Sequence, residues 1–332
     1  MDFQLTDDQR ALRAGARELL AGRLGPERLR ERAAGGPVPD RALWRELAAA
    51  GFLTVRLPEE ASGVGLGLPE AVLVCEEAGR ALLPGPLVAG QLLAGVVDGV
   101  ASGERLPALC DGAADPVLCE LPDGVGELVI LEGSAPGRTQ RGGEGRAEGR
   151  AELAYRCAPG DVATAPFASV DPLTPLARVT GYPRTCPLPG LDAARLRREA
   201  ALLTAAEQLG SAARTVEAAV AYARQRTQFG APIGSFQAVK HLCAEMLVRA
   251  EVARAAVYAA AVTADPLDIA GAKLLADEAA VRNARDCLQV HGGMGFTWEA
   301  EVHLHLKRAW LRAERWCAAR EAEERLADAL AR

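Results

Sequence analysis

Over the first hundred residues, apolar positions recur at helical spacing. Leu12, Ala16, Leu19 and Leu20 follow Thr6 and Gln9, whose separation of three makes a capping box, so a helix is predicted from Thr6 onward. A second is predicted over Arg41–Ala50, ended by Gly51, and a third over Pro69–Leu83, carrying Val72, Leu73, Val74 and Ala78. Between them GFLTVRLPEEASGVGLGLPEA loses all period and supplies Pro58, Gly63, Gly65 and Gly67, which reads as a Gly-rich loop.

From about Ser102 to Pro189 the pattern shortens. LPALC, PVLCELP, ELVILEG and ELAYRCA are brief apolar runs set apart by Gly, Pro and Asp, the signature of strands and turns. Gly133–Arg150, rich in Gly and Arg, is too polar to bury a core and is expected as a solvated excursion. Beyond Leu191 helical spacing returns over roughly Leu191–Thr227, Ser235–Thr263, Pro266–Leu288 and Ala300–Ala331, which predicts an antiparallel four-helix bundle. Ser235 and Asp265 are placed to cap two of these helices, Pro266 occupies a first helical position, and Gly292-Gly293 is a stop. The fold class is therefore mainly α with a small β domain: a helical domain over 1–101, a reduced β domain over 102–189 and a four-helix bundle over 190–332. Small side chains on more than one face of Val252–Ala264 point to packing against another subunit as well as within the bundle, so a dimer of dimers is expected.

Composition narrows the function. The chain has 332 residues, 49% of them hydrophobic and 25% charged, with 38 Lys and Arg against 44 Asp and Glu. A net charge of -6 gives no electrostatic reason to bind nucleic acid or an anionic membrane. The acidic MDFQLTDDQR start and the lack of any apolar run near ~20 residues lead to a cytoplasmic expectation. Eight cysteines with no Cys-x-x-Cys pair read as reduced, mostly buried thiols rather than zinc ligands or a disulfide framework.

Two segments concentrate chemistry. In YARQRTQFGAPIGSFQAVKHLCAEM, Arg226 can offer a planar fork to a pyrophosphate and Gly230 lets backbone approach a ligand; a plain helix hairpin with ordinary turn residues accounts for the same spacing. In ARDCLQVHGGMGFTWEAEVHLHLKRA, Gln289, Gly292, Gly293 and Gly295 lie at a helix end before Phe296 and Trp298, as if backbone pressed against something flat. His291, His303 and His305 lack companion ligands at metal spacing, so no metal site is expected.

RQRTQFGAPIGSFQAVKH and QVHGGMGFTWE, in that order and about sixty residues apart, with LWRELAAAGFLTVRLPEEASGVGLGLPEAVLVCEEAGR upstream, resemble the acyl-CoA dehydrogenase family. The resemblance spans nearly the whole chain apart from its middle, and it implies FAD in a cleft at a dimer interface. Arg226, Phe229 and Gly230, with Gln237 nearby, match the motif that reaches the pyrophosphate and adenosine of flavin held largely by the neighbouring subunit. Gln289, Gly292 and Gly293 match the motif that touches the flavin's ribityl and adenosine portion. The implied reaction removes an α-proton and a β-hydride from an acyl-CoA thioester, the hydride passing to flavin and on to an electron-transfer flavoprotein or similar acceptor.

That reaction needs a carboxylate over Cα. At one of the family's two positions for it this chain has Trp316, and at the other Ala200, with Glu199 beside it and Glu207 two turns further on. Glu199 and Glu207 are accordingly the candidate bases. No Thr-Glu-Pro-x-x-Gly-Ser-Asp flavin loop occurs between Ser102 and Pro189. A chain with the cross-interface flavin motifs but neither that loop nor an obvious base resembles one subunit of the α2β2 steroid- and side-chain-degrading branch, as GRALLPGPLVAG (Gly79–Gly90) does too. The expected partner is a homologous subunit in a heterotetramer; a complete homo-oligomeric dehydrogenase and a flavin-free scaffold are the alternatives.

Overall fold

The computed structural model describes residues 4–35, 39–120, 123–133 and 153–331. Five helices open the chain: α1 (Asp7–Arg23), α2 (Pro26–Gly35), α3 (Arg41–Ala49), α4 (Leu68–Arg80) and α5 (Leu87–Leu93). The capping box forms as the spacing requires, with Gln9 N donating to Thr6 Oγ1 at 3.2 Å and Thr6 N to Gln9 Oε1 at 3.0 Å. Helices α2 and α5 have no counterpart in the sequence reading. The first is mostly exposed and buries only Leu29, so its apolar period is too sparse to read.

Among the described residues the middle holds six strands: β1 (Pro107–Asp111), β2 (Leu118–Glu120), β3 (Glu127–Leu131), β4 (Ala154–Cys157), β5 (Ala163–Phe167) and β6 (Leu176–Gly181). They form two sheets, in the orders β1-β3-β4 and β2-β6-β5. Alternate residues of β1 and β3 serve different cores. Ala108, Cys110, Leu128 and Ile130 face a small core shared with Cys119 and Val179, while Leu109, Val129 and Leu131 join the main core. Burial on both faces explains why β3 reads as an unbroken apolar run. The Gly- and Arg-rich segment expected as a solvated excursion falls, from residue 134 onward, outside the described residues.

Three long helices follow, α6 (Ala193–Gln225), α7 (Gln237–Thr263) and α8 (Pro266–His291), with a two-residue hairpin of β7 (Thr227–Gln228) and β8 (Ala231–Pro232) between α6 and α7. Asp265 caps α8 through Leu267 N at 2.8 Å, with Pro266 at its first turn. Ser235 does not cap α7. Its hydroxyl donates to Pro232 O at 2.7 Å, closing a short 3-10 turn, and Phe236 holds the cap position without a side-chain bond. The helix expected over Ala300–Ala331 is two, α9 (Val302–Ala313) and α10 (Ala319–Leu330). Trp316 (φ 54) and Cys317 (φ 78) adopt left-handed backbone between them, which ends the helical ladder without Gly or Pro.

The helical domain and the bundle share one core, and α4 packs closely against α6 within it. A Cβ added to Gly79 would lie 1.9 Å from Glu207 O, and one on Gly210 would lie 1.8 Å from Glu76 O. Only glycine permits this approach. Buried carboxylates on α4 then bind the flanking helices: Arg17 of α1 forks onto Glu77 at 2.7 and 2.8 Å, and Tyr258 of α7 donates to Glu76 at 2.6 Å.

Candidate active site

Both glycine-bearing motifs sit at one end of the bundle. Phe229 (φ 53) and Gly230 (φ 76) are the two central residues of the β7–β8 hairpin, and two successive positive φ angles are what a type I′ turn requires. The turn holds Phe229 out at 93% exposure, its ring edge-on to Phe236 with centroids 6.1 Å apart. Arg226 N bonds Tyr222 O and Ile233 N bonds Arg226 O, both at 2.8 Å, which seats the Arg226 backbone at the root of the hairpin while its side chain stays exposed.

At the end of α8, Gly292 (φ 59) breaks the helix and its N–H returns to Gln289 O. Gln289, Gly292 and Gly293 are exposed, and so is Gln237 at the start of α7. Tyr222 and His291 bring the two motifs together: their rings stack with centroids 4.2 Å apart and planes 24° apart. His291 Nδ1 lies 2.8 Å from Cys287 O, which holds the imidazole on its own helix. A Cβ at Gly230, Gly292 or Gly293 would meet nothing within 4 Å, so bare backbone faces open space there beside a guanidinium and carboxamides. That donor set fits a flavin nucleotide's pyrophosphate and hydroxyls.

The candidate bases lie elsewhere. Glu199 is held by two arginines: Arg56 forks onto it at 2.8 and 2.9 Å, and Arg195 Nε adds a bond at 2.8 Å. Burial alone would raise its carboxyl, but the bonds and charges of Arg56 and Arg195 outweigh it and keep the group below its ordinary range. Glu199 is thus a fixed anion tying α6 to the loop after α3.

Glu207 faces a cavity of about 50 Å³ between the start of α5, the middle of α6 and the end of α9, lined also by Thr204, Arg308, Arg312 and Trp316. Its carboxylate meets Arg312 Nη2 at 2.9 Å. Burial raises the Glu207 carboxyl, Arg312 and Arg308 pull it down, and the net direction is upward. Thr204 lies one turn beyond Ala200, so the cavity adjoins both positions where the resemblance places a base. Ala200 is fully buried.

The arginines of α9 escaped the sequence reading. Arg308 and Arg312 share one face of the helix at a spacing of four, with Arg315 just past its end, and composition alone suggests that they are solvated. In the fold Arg308 pairs with Asp171 and donates to Leu83 O at 3.1 Å, and Lys273 Nζ, beside Asp277, reaches Arg312 O at 3.1 Å. His305, fully inside, has Nδ1 2.7 Å from Ser211 Oγ, and its basicity is lowered by burial. Among the described residues no three metal-ligating side chains come together, and none of the helices is long and apolar enough to cross a membrane.

Comparison with known proteins accords with this arrangement. The profile of the acyl-CoA dehydrogenase N-terminal domain matches residues 6–103 and that of the C-terminal domain residues 194–317. Acyl-CoA dehydrogenase IpdE2 of Mycobacterium tuberculosis is 35% identical, with 96% of each chain covered. Acyl-CoA dehydrogenase FadE34 of the same organism is 37% identical over 92% of this chain, which spans only 45% of FadE34. Among solved structures, the ChsE4-ChsE5 complex from Mycobacterium tuberculosis superposes with a TM-score of 0.80 at 25% identity, covering 100% of this chain and 99% of that one. Butyryl-CoA dehydrogenase from Megasphaera elsdenii gives 0.80 at 20% identity over the whole of both chains, a likeness of fold. With both terminal domains matched on either side of a divergent β domain, and with a near full-length relative bearing the same name, the chain belongs to the acyl-CoA dehydrogenase family of flavoprotein oxidoreductases.

Proposed function

We propose that this chain is one subunit of a heteromeric, FAD-dependent acyl-CoA dehydrogenase, supplying flavin contacts across the interface while a homologous subunit supplies the catalytic carboxylate. The observation that carries this reading is the state of the chain's own candidate bases: Glu199 is held by Arg56 and Arg195, and Glu207 by Arg312. A general base must present an oxygen lone pair to a substrate proton; Glu199 has both oxygens bonded to arginines, and Glu207, paired through one oxygen and raised by burial, has its basicity lowered by the Arg312 charge.

In this reading FAD supplies the two-electron acceptor. Arg226 would pair with its pyrophosphate, Gln289 and Gln237 would hydrogen-bond its sugar and ribityl hydroxyls, and Gly230, Gly292 and Gly293 would let backbone come within contact distance. Phe229 would lie against the flavin or the partner, which accounts for an aromatic ring held in open solvent. Electrons would leave through an electron-transfer flavoprotein or similar acceptor. The substrate class is an acyl-CoA thioester.

In this reading the partner would lie against α7. Val248, Val252 and Val262 are exposed at 61, 48 and 51%, and with Ala255 and Ala259 they follow a four-three-four-three spacing. An apolar seam of that period suits another helix. The ChsE4-ChsE5 complex shows that a neighbour of this fold does assemble with a second chain.

A second reading, a homo-oligomer with Glu207 as base, is favoured by one observation: this carboxylate lines the cavity and burial raises it toward a proton-accepting range. Flavin stoichiometry separates the two. Purification alone and after co-expression with a homologous subunit is expected to give FAD only in the mixed complex; full FAD in the chain alone supports the homo-oligomer.

A further inference from the structure

Arg308, Arg312 and Arg315 each meet a carboxylate from a different element around one cavity. Arg308 pairs with Asp171, Arg312 with Glu207 on α6 at 2.9 Å, and Arg315 with Glu120 on β2 at 3.3 Å. Side chains of the first two pairs are no more than 8% exposed. Arg308 Nη2 and Arg312 Nη1 are buried with no hydrogen-bond partner, and both residues line the cavity. A water needs about 10–15 Å³ of such space, so about 50 Å³ edged by the side chains of Glu207, Arg308, Arg312 and Arg315 has room for a few waters and not for a hydrocarbon chain.

We propose that the Glu207–Arg312 pair, backed by Arg308, is a charged plug that shuts acyl groups out of this chain's own bundle cavity. The proposal rests on the partner-subunit reading and deepens it, because a plugged cavity directs the acyl-CoA to the other subunit. A hydrocarbon laid against this layer gains little of the apolar contact that drives its burial, and it offers the charged side chains no polar partner. Removing one member of the pair leaves a buried charge uncompensated, whereas removing both together leaves neither. Trp316 reports on the site, since its left-handed backbone places the indole in the cavity wall, with the Arg315 guanidinium 5.6 Å from the ring centroid.

The test is quenching of Trp316 fluorescence by ω-bromo-octanoyl-CoA, the signal of Trp316 being taken as the difference between each protein and its Trp316→Phe counterpart. The unaltered chain is expected to show no Trp316-dependent quenching. Glu207→Ala combined with Arg312→Ala is expected to lose Trp316 emission as the bromoacyl chain enters, with an unchanged circular dichroism spectrum. Should that protein not fold, Glu207→Ala with Arg312→Met removes both charges at less loss of volume and carries the same expectation. Quenching of Trp316 in the unaltered chain overturns the plug, as does its absence in a folded variant that lacks both the Glu207 and Arg312 charges. Neither result bears on FAD stoichiometry, so the plug can fail while the partner-subunit reading stands.

Discussion

The imidazole of His291 lies on the phenol ring of Tyr222 at 4.2 Å and 24°, and this contact joins the ends of α6 and α8. Tyr222 is one turn before Arg226, and His291 directly precedes Gly292. Two loops about sixty residues apart in sequence therefore form one surface. Its chemistry is a cation, carboxamides and uncovered backbone, all on the outside of the chain.

Arg226→Ala is expected to weaken FAD retention in the assembled complex by about 1.5–3 kcal/mol, or roughly 10- to 150-fold, the range for a charge-assisted hydrogen bond. The side chain is exposed, so the melting temperature of the chain alone should not move. Flavin content after extensive dialysis is the measurement.

Glu199 has a predictable pH signature. Its carboxyl is lowered in the fold from an ordinary 4.5, so its contribution to stability is in place above that value and is lost as pH falls through the lower folded value. Glu199→Gln is expected to flatten the acid side of a plot of urea-unfolding free energy against pH below about 4.5 and leave the slope near neutrality unchanged. It should change the rate of flavin reduction in the complex less than roughly tenfold, short of the loss expected on removing a base in use.

Gly79→Ala would put a methyl group 1.9 Å from the carbonyl oxygen of Glu207. Two helix backbones must part to admit it, at a cost of about 1–3 kcal/mol or more. A thermal scan should show a lower Tm, and because the seam joins the helical domain to the bundle, both should melt earlier together.

Val252→Asp places a charge in the exposed α7 seam. The monomer's fold should be indifferent to it, and light scattering of the complex should show loss of the larger assembly. An unchanged assembly would move the subunit contact to another face.

Several elements were legible because their signals are local. The Thr6 and Gln9 box, the Asp265-Pro266 start and the apolar β1 and β3 runs each depend on residues within a few positions of one another. β5 was not, since ATAPF is largely exposed and carries Pro166, and β6 interrupts its apolar residues with Arg178 and Thr180. The break between α9 and α10 lies at Trp316 and Cys317, residues with no turn preference; their surroundings, not their chemistry, hold the left-handed backbone. The two glycine-bearing loops could be read because glycine and arginine are conspicuous there. The inner cavity could not, because α6 is buried on nearly every side over its middle and no single face stands out.

The most direct test of the partner-subunit account is anaerobic mixing of acyl-CoA with the chain in the presence of added FAD, alone and as a complex with its homologous subunit, while flavin absorbance is followed by stopped flow. The account predicts bleaching in the complex and none with the chain alone, with Glu207→Gln slowing the complex less than roughly tenfold. Bleaching of the FAD-loaded chain alone, abolished by Glu207→Gln with flavin content unchanged, would show that this chain carries its own base and contradict the account.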